Sequence, residues 1–259
     1  MKNFYLIFQK ELRSYFNSPI AFVVITIFLI ISGYFFYTIF ATFSTISFQV
    51  MTNPIMAQQY NQLNITEMVV RPFFANISLF MLIMLPMLTM RIFSEEKKSG
   101  TIELLLTYPV KDSEVILGKF AGCMGIFTIM ILLTLPCIFL IELFGEPEMG
   151  VVLSGYVGLF LMGAAFISLG IFASSVTENQ IVAAVVSFGF LLIFFMMGYS
   201  AGFASETIGG ILKYLSFTPH LYNFAKGVLD TEDIMYYVLF TLFCIFLNMR
   251  SLESKRWRG

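Results

Sequence analysis

Six long apolar stretches alternate with shorter polar segments along the chain. A helix needs about 20 mainly apolar residues to cross the hydrocarbon core of a bilayer. No ionisable residue stands in the middle of any of the six stretches. The pattern predicts an all-α integral membrane protein that forms one transmembrane domain over residues 1–259. The predicted spans lie at about 20–40, 73–90, 120–141, 151–174, 180–202 and 234–249.

The first 18 residues form a separate amphipathic pattern. Phe4, Phe8 and Leu12 recur at helical spacing with charged residues between them, and Pro19 follows the segment. This arrangement is typical of a helix that lies in the membrane interface. Two roles stay open for it. It either braces the first span and contacts a cytoplasmic partner, or serves only as an anchor.

The segment 203–233, before the last span, is too polar to cross a membrane twice and too apolar to lie in water. We expect an outer re-entrant helical hairpin, broken near Pro219. His220, the only histidine, stands at this break without a nucleophile or metal-ligand cluster near it in the sequence, which favours a polar contact over catalysis. Tyr236 and Tyr237, near the start of the last span, are expected at the membrane interface.

The outward segment 44–72 is expected to form a loop or a short helix.

Composition supports the membrane assignment and excludes several classes of function. The chain is 58% hydrophobic and 12% charged, whereas soluble domains contain about 25% charged residues. A formal net charge of -1 gives no basis for nucleic-acid binding. The three cysteines all lie in apolar stretches, so they indicate neither a disulfide framework nor a metal site.

Positive charge predicts the orientation. All of the 15 Lys and Arg residues except Arg71, Lys213 and Lys226 fall on one side of the predicted spans. Cytoplasmic segments of membrane proteins carry an excess of Lys and Arg. Both termini and the loop 91–119 are therefore expected to be cytoplasmic, which agrees with an even number of spans.

This cytoplasmic loop contains a short amphipathic pattern over residues 101–107. Ile102, Leu105 and Leu106 fall on one helical face. A helix this short is not stable alone in water, and it therefore requires a surface to dock on. Lipid is one candidate surface, but the acidic residues of the loop favour a protein partner, because inner-leaflet lipids are negatively charged.

The stretch EEKKSGTIELLLTYPV, residues 95–110, resembles the cytoplasmic-loop signature of ABC-2 type permeases. These are the membrane subunits of exporters driven by ATP-binding-cassette ATPases. The amphipathic N-terminal helix, the six spans and the outer hairpin agree with the resemblance, which covers essentially the whole chain. In finer detail the sequence is similar to the permeases associated with gliding motility, with the permeases of nitrous-oxide-reductase maturation as relatives.

The resemblance implies that residues 101–107 form a coupling helix seated in a groove of a separate ATPase subunit. A smaller contact would come from the turn 175–179. The chain lacks the GxxxxGK motif followed by Ser or Thr, so ATP and Mg²⁺ would be bound by the partner and not by this non-catalytic chain. The residues implied in coupling are Glu96, Gly100, Thr101, Ile102, Glu103, Leu105, Leu106, Pro109 and Glu178.

The resemblance also implies the assembly and the location. Two copies, or two related permeases, would pair with two ATPases in a bacterial inner membrane. One alternative is an ATP-driven mechanical transmitter that acts on a membrane protein with a large periplasmic domain and carries no substrate. An ion-coupled carrier or channel would normally need a charge within a span. An intramembrane enzyme would need a reactive pair of side chains, and none is visible in the spans.

Overall fold

A computed structural model describes residues 2–53, 63–103 and 110–256, and all regular structure in these ranges is helical. Six helical stretches in this part are long and apolar enough to cross a membrane, which confirms the predicted number. The elements are α1 Lys2–Asn17, α2 Pro19–Thr52, a π-helical turn Thr66–Val70, α3 Arg71–Thr89, α4 Ser94–Lys98, α5 Asp112–Leu132, α6 Leu135–Phe144, α7 Met149–Val176, α8 Gln180–Ser200, a 3₁₀ turn Ala201–Phe203, α9 Glu206–Leu215, α10 Phe217–Ala225 and α11 Thr231–Arg256. The first spanning stretch is α2, and the second runs from the π-helical turn through α3 to α4. The third combines α5 with α6, and the last three are α7, α8 and α11.

The first span is much longer than the sequence pattern predicts. Helix α2 contains 34 residues and is about 51 Å long at 1.5 Å per residue, well beyond the hydrocarbon core. The loop or short helix expected over 44–72 is therefore corrected, because both of its described ends belong to long helices. Threonine hydroxyls bond to carbonyls one turn earlier, such as Thr45 to Ala41 at 2.9 Å and Thr52 to Phe48 at 3.0 Å. These threonines are satisfied within the helix and do not end it.

The third span is interrupted between α5 and α6. Pro136 lies in the first turn of α6, and a proline there cannot donate the backbone hydrogen bond that would continue α5. The Thr134 hydroxyl bonds to the Ile131 carbonyl at 2.7 Å and meets the Tyr156 hydroxyl at 2.9 Å. These contacts connect the break to α7.

Helix α7 lies at the centre of the bundle. In its most apolar stretch 72% of residues are buried, against 22% in α8 and 28% in α2. Gly155, Gly158 and Gly163 face phenylalanine rings from α3, α10 and α5 respectively. The glycines let these rings approach the α7 backbone closely, which is a common use of glycine between membrane helices.

Helix α1 packs mainly on α5 and makes fewer contacts with α2. Gly118, Gly122 and Gly125 form a row along α5, and Cβ atoms at the first two would lie 2.8 Å from Ile7 and 2.7 Å from Glu11. The amphipathic helix predicted over residues 1–18 is confirmed, but it braces the third span and not chiefly the first. We term the end of the bundle that carries α1 the near end, and the opposite end the far end.

Candidate coupling site

The loop after α3 begins with α4, a helix that the sequence pattern did not predict. Gly100 ends it with a φ of +71°, a left-handed conformation that costs glycine little. No atom lies within 4 Å of a Cβ built there, so the backbone conformation and not packing requires glycine. Residues 101–103 are helical, which agrees with the first residues of the helix predicted over 101–107. Leu105, Leu106 and Pro109 lie outside the described residues.

A buried ion-pair cluster holds the base of this loop. Lys119 of α5 has a side chain only 1% exposed, and its Nζ donates to Glu11 at 2.9 Å and to Glu96 at 2.8 Å. The third donor goes to the Ile92 carbonyl at 3.1 Å, so every N–H of the ammonium group is used. Burial of a charge is tolerated when it is paired in this way. The cluster joins α1, α4 and α5.

Glu96 also forms an ion pair with Lys10 of α1, with 3.3 Å between Lys10 Nζ and Glu96 Oε1. Its side chain is 16% exposed, and its second oxygen is buried with no hydrogen-bond partner in the described structure. Glu96 therefore points into the protein. Thr101 and Glu103 are exposed, whereas Ile102 is buried. Of Glu96, Thr101, Ile102 and Glu103, therefore, Thr101 and Glu103 are the ones with exposed side chains.

The C-terminal end of α7 forms a second attachment for the loop. The Ser174 hydroxyl accepts the backbone N–H groups of Phe93 and Ser94, each at 3.0 Å. The Lys97 ammonium donates to the Ser175 carbonyl. Helix α4 also contacts α8, which begins two residues after the exposed Glu178. The structure thus brings the loop base close to the predicted secondary contact.

Two further contacts connect α1 with the end of α3. The Tyr15 hydroxyl donates to the Leu88 carbonyl at 3.0 Å and lies 2.9 Å from Cys123 Sγ. Burial raises the pKa of the Tyr15 hydroxyl well above its ordinary value, so this group stays a neutral donor. Arg91 donates to the Ser18 hydroxyl at 2.8 Å. The near end is therefore one connected unit of α1, α3, α4, α5 and α7.

A polar cleft of about 310 Å³ lies between α1 and the loop. Its lining includes the ion-pair cluster, and the described residues contain no group of three or more His, Cys, Asp and Glu that could hold a metal. Ion pairs and backbone hydrogen bonds dominate the arrangement.

Sequence reasoning missed Glu11 and Lys119 as partners. In the charge pattern Lys119 counts only as one of the many positive charges on the cytoplasmic side, although it directly precedes the uninterrupted apolar stretch 120–141. The row Gly118, Gly122 and Gly125 is the signal that could have revealed them, because small residues on one helical face indicate a close helical neighbour. The three glycines do not, however, show which helix is that neighbour.

At the far end, His220 joins α10 to α9 and α11. Its Nδ1 lies 2.5 Å from Asp233 Oδ1, and its Nε2 lies 2.9 Å from the Tyr214 carbonyl. A carbonyl only accepts, so Nε2 carries a proton. The predicted polar contact of His220 is confirmed. Tyr236 and Tyr237 are buried against it, and their position at the membrane interface stays a prediction. The segment forms two short helices, and their depth in the membrane stays a prediction.

Fold and site together define a multi-pass membrane protein with six spanning helices and a charged loop braced at the near end. A sequence model of the family described as "ABC-2 family transporter protein" matches residues 5–249. The chain therefore belongs to this family. This confirms the resemblance to ABC-2 type permeases at the level of the family. A comparison with proteins of curated function found no match.

Proposed function

We propose that this chain, a permease subunit of an ATP-binding-cassette exporter, takes its energy from a separate ATPase subunit that binds the loop 94–109. The observation that carries the proposal is the cluster of Lys119 with Glu11 and Glu96. A loop that only rested on lipid would not need ion pairs to two other helices, α1 and α5. A loop that must transmit force does need them, because a loose attachment would absorb the displacement.

The docking surface is the exposed part of the loop after Gly100, with Thr101 and Glu103 on it and Leu105 and Leu106 as the apolar anchor of the coupling helix. Glu178 adds the smaller contact at the turn before α8. ATP and Mg²⁺ belong to the ATPase subunit. Glu96, although part of the loop motif, acts within this chain and connects the docked segment to α1 and α5.

The mechanism follows from these connections. ATP binding closes the ATPase dimer and displaces the docked loop. Lys119 passes the displacement to α1 and α5, and Ser174 passes it to α7. ATP drives this change only to the extent that it stabilises one arrangement over the other.

A second copy of the chain, or a related permease, completes the assembly. Helices α2 and α8 are among the least buried spans and expose large apolar side chains such as Tyr34, Tyr37, Phe190 and Ile193. We place the contact between permeases on these two helices. The positive near end lies in the cytoplasm of a bacterium, with both termini on that side of the inner membrane.

Replacing Leu105 with aspartate tests the docking surface. A carboxylate in an apolar groove should weaken ATPase binding by about tenfold or more, equivalent to ~1.4 kcal/mol. The measurement is ATPase retention during purification of the tagged permease, together with substrate-independent ATP turnover of the reconstituted complex. Lys111→Ala, at an exposed position beside the loop, is the matched control. Unchanged retention and turnover in Leu105→Asp would rule out the coupling-helix assignment.

The mechanical-transmitter function is a second candidate, and α9 favours it. This far-end helix exposes Ile208, Ile211 and Tyr214, between 50% and 56% each, as a partner-binding helix would. Purification from the native membrane distinguishes the two functions. A co-purified membrane protein with a large periplasmic domain supports the transmitter and the gliding-type relationship, and ATPase without such a protein supports a simple exporter.

A further inference from the structure

A cavity of about 460 Å³ opens at the far end between α3, α8 and α10. Its size suits a small organic ligand or one segment of a lipid. Apolar side chains form most of its wall, and one arginine stands at its mouth. The lining includes Arg71, Ala75, Phe195, Tyr199, Leu221 and Tyr222.

Arg71 has an unused hydrogen-bonding edge. Its Nη1 donates to Glu67 at 2.6 Å, but its Nε is buried and has no hydrogen-bond partner in the described structure. A buried donor without a partner costs about 1–3 kcal/mol. An oxyanion can bridge the Nε–H and the adjacent Nη2, which is the paired geometry that guanidinium groups offer to carboxylates and phosphates.

A second cation stands beside the same cavity. The Lys226 ammonium lies 4.3 Å from the centre of the Tyr222 ring, and Tyr222 lines the cavity. Arg71, Lys226 and Lys213 are the three cations that the charge pattern assigns to this side of the membrane. Arg71 lines the cavity and Lys226 contacts the lining residue Tyr222, whereas Lys213 lines a different cavity together with Asp230 and Glu232. Arg71, Lys226 and Glu67 together carry a net positive charge.

We propose that this cavity binds an anionic membrane lipid. The headgroup oxyanion pairs with the free edge of Arg71 near Lys226, and the start of one acyl chain lies along Ala75, Phe195 and Leu221. An apolar wall with an arginine on it and a lysine nearby matches an amphiphile better than a small soluble anion. Two of the lining helices, α3 and α8, are long and apolar enough to cross a membrane, so membrane lipid is an available ligand. The site is independent of the proposed ATPase coupling.

Native mass spectrometry of the purified full chain tests the site with phosphatidylglycerol and phosphatidylcholine as probes. We expect phosphatidylglycerol to be retained preferentially. Arg71→Gln should weaken its retention by about tenfold, as expected for loss of a charge-assisted hydrogen bond. Ala75→Phe, at an exposed position lining the cavity, should reduce retention by filling the space. Lys213→Gln is the matched charge control and should retain phosphatidylglycerol as the wild type does.

Glu67→Gln separates loss of the cation from local damage, because it removes the Arg71 ion pair but keeps the guanidinium. This variant should retain phosphatidylglycerol at least as well as the wild type. Equal retention of the two lipids would overturn the proposal, as would equal losses in Arg71→Gln and Lys213→Gln. Displacement of phosphatidylglycerol by millimolar inorganic phosphate, with no lipid preference remaining, would instead assign the site to a soluble anion and also overturn it.

Discussion

Replacing Lys119 with methionine should lower the free energy of unfolding by about 3–5 kcal/mol, the usual cost of removing one partner from a buried ion pair. Methionine fills a similar volume but leaves the Glu11 carboxylate, 10% exposed, without the ammonium that neutralises it. Glu96 keeps only the longer contact with Lys10. Helix α1 should then detach from α5 and the loop, so ATPase coupling should fall together with stability.

Thermal unfolding of the purified chain measures this effect. Lys111→Met, at an exposed position on the same loop, should change the midpoint little. The triple variant Lys119→Met, Glu11→Gln and Glu96→Gln should recover much of the loss, because no buried charge remains unpaired. Wild-type stability in Lys119→Met alone would show that the cluster does not hold the near end together.

Adding one methyl group at Gly163 should also destabilise the bundle. A Cβ there would lie 1.9 Å from a ring carbon of Phe127, closer than real Cβ contacts come. Phe127 is fully buried, so its ring has no open space to move into, and α7 must shift away from α5. We expect Gly163→Ala to cost about 1–3 kcal/mol, the range for overpacking a close-packed core.

The matched control is Gly189→Ala in α8, where no atom lies within 4 Å of the added Cβ. Alanine is favoured over glycine in a helix by about 0.5–1 kcal/mol, so this variant should be neutral or slightly more stable. Thermal unfolding of the two variants under identical conditions compares them directly. If both unfold like the wild type, Gly163 is not a site of close helix packing.

The number of spans and the N-terminal amphipathic helix could both be predicted from the sequence. The reason is physical: in lipid every backbone polar group must be satisfied within its own segment, so apolar length alone defines a spanning helix. Helix ends could not be predicted in this way, since threonines of α2 such as Thr52 bond within the helix, which extends to Thr52.

The tertiary structure alone decided which side chains meet. Glu11 and Lys119 are separated by 108 residues in sequence, and hydropathy carries no information on which helices become neighbours. Hydropathy also does not show that Glu96 points into the protein, although its position in the loop motif implies contact with a partner. Nor does it show that the Nε of Arg71 is buried without a hydrogen-bond partner in the described structure. A charge is stabilised or left unsatisfied by the groups that surround it, and helix packing determines which groups those are.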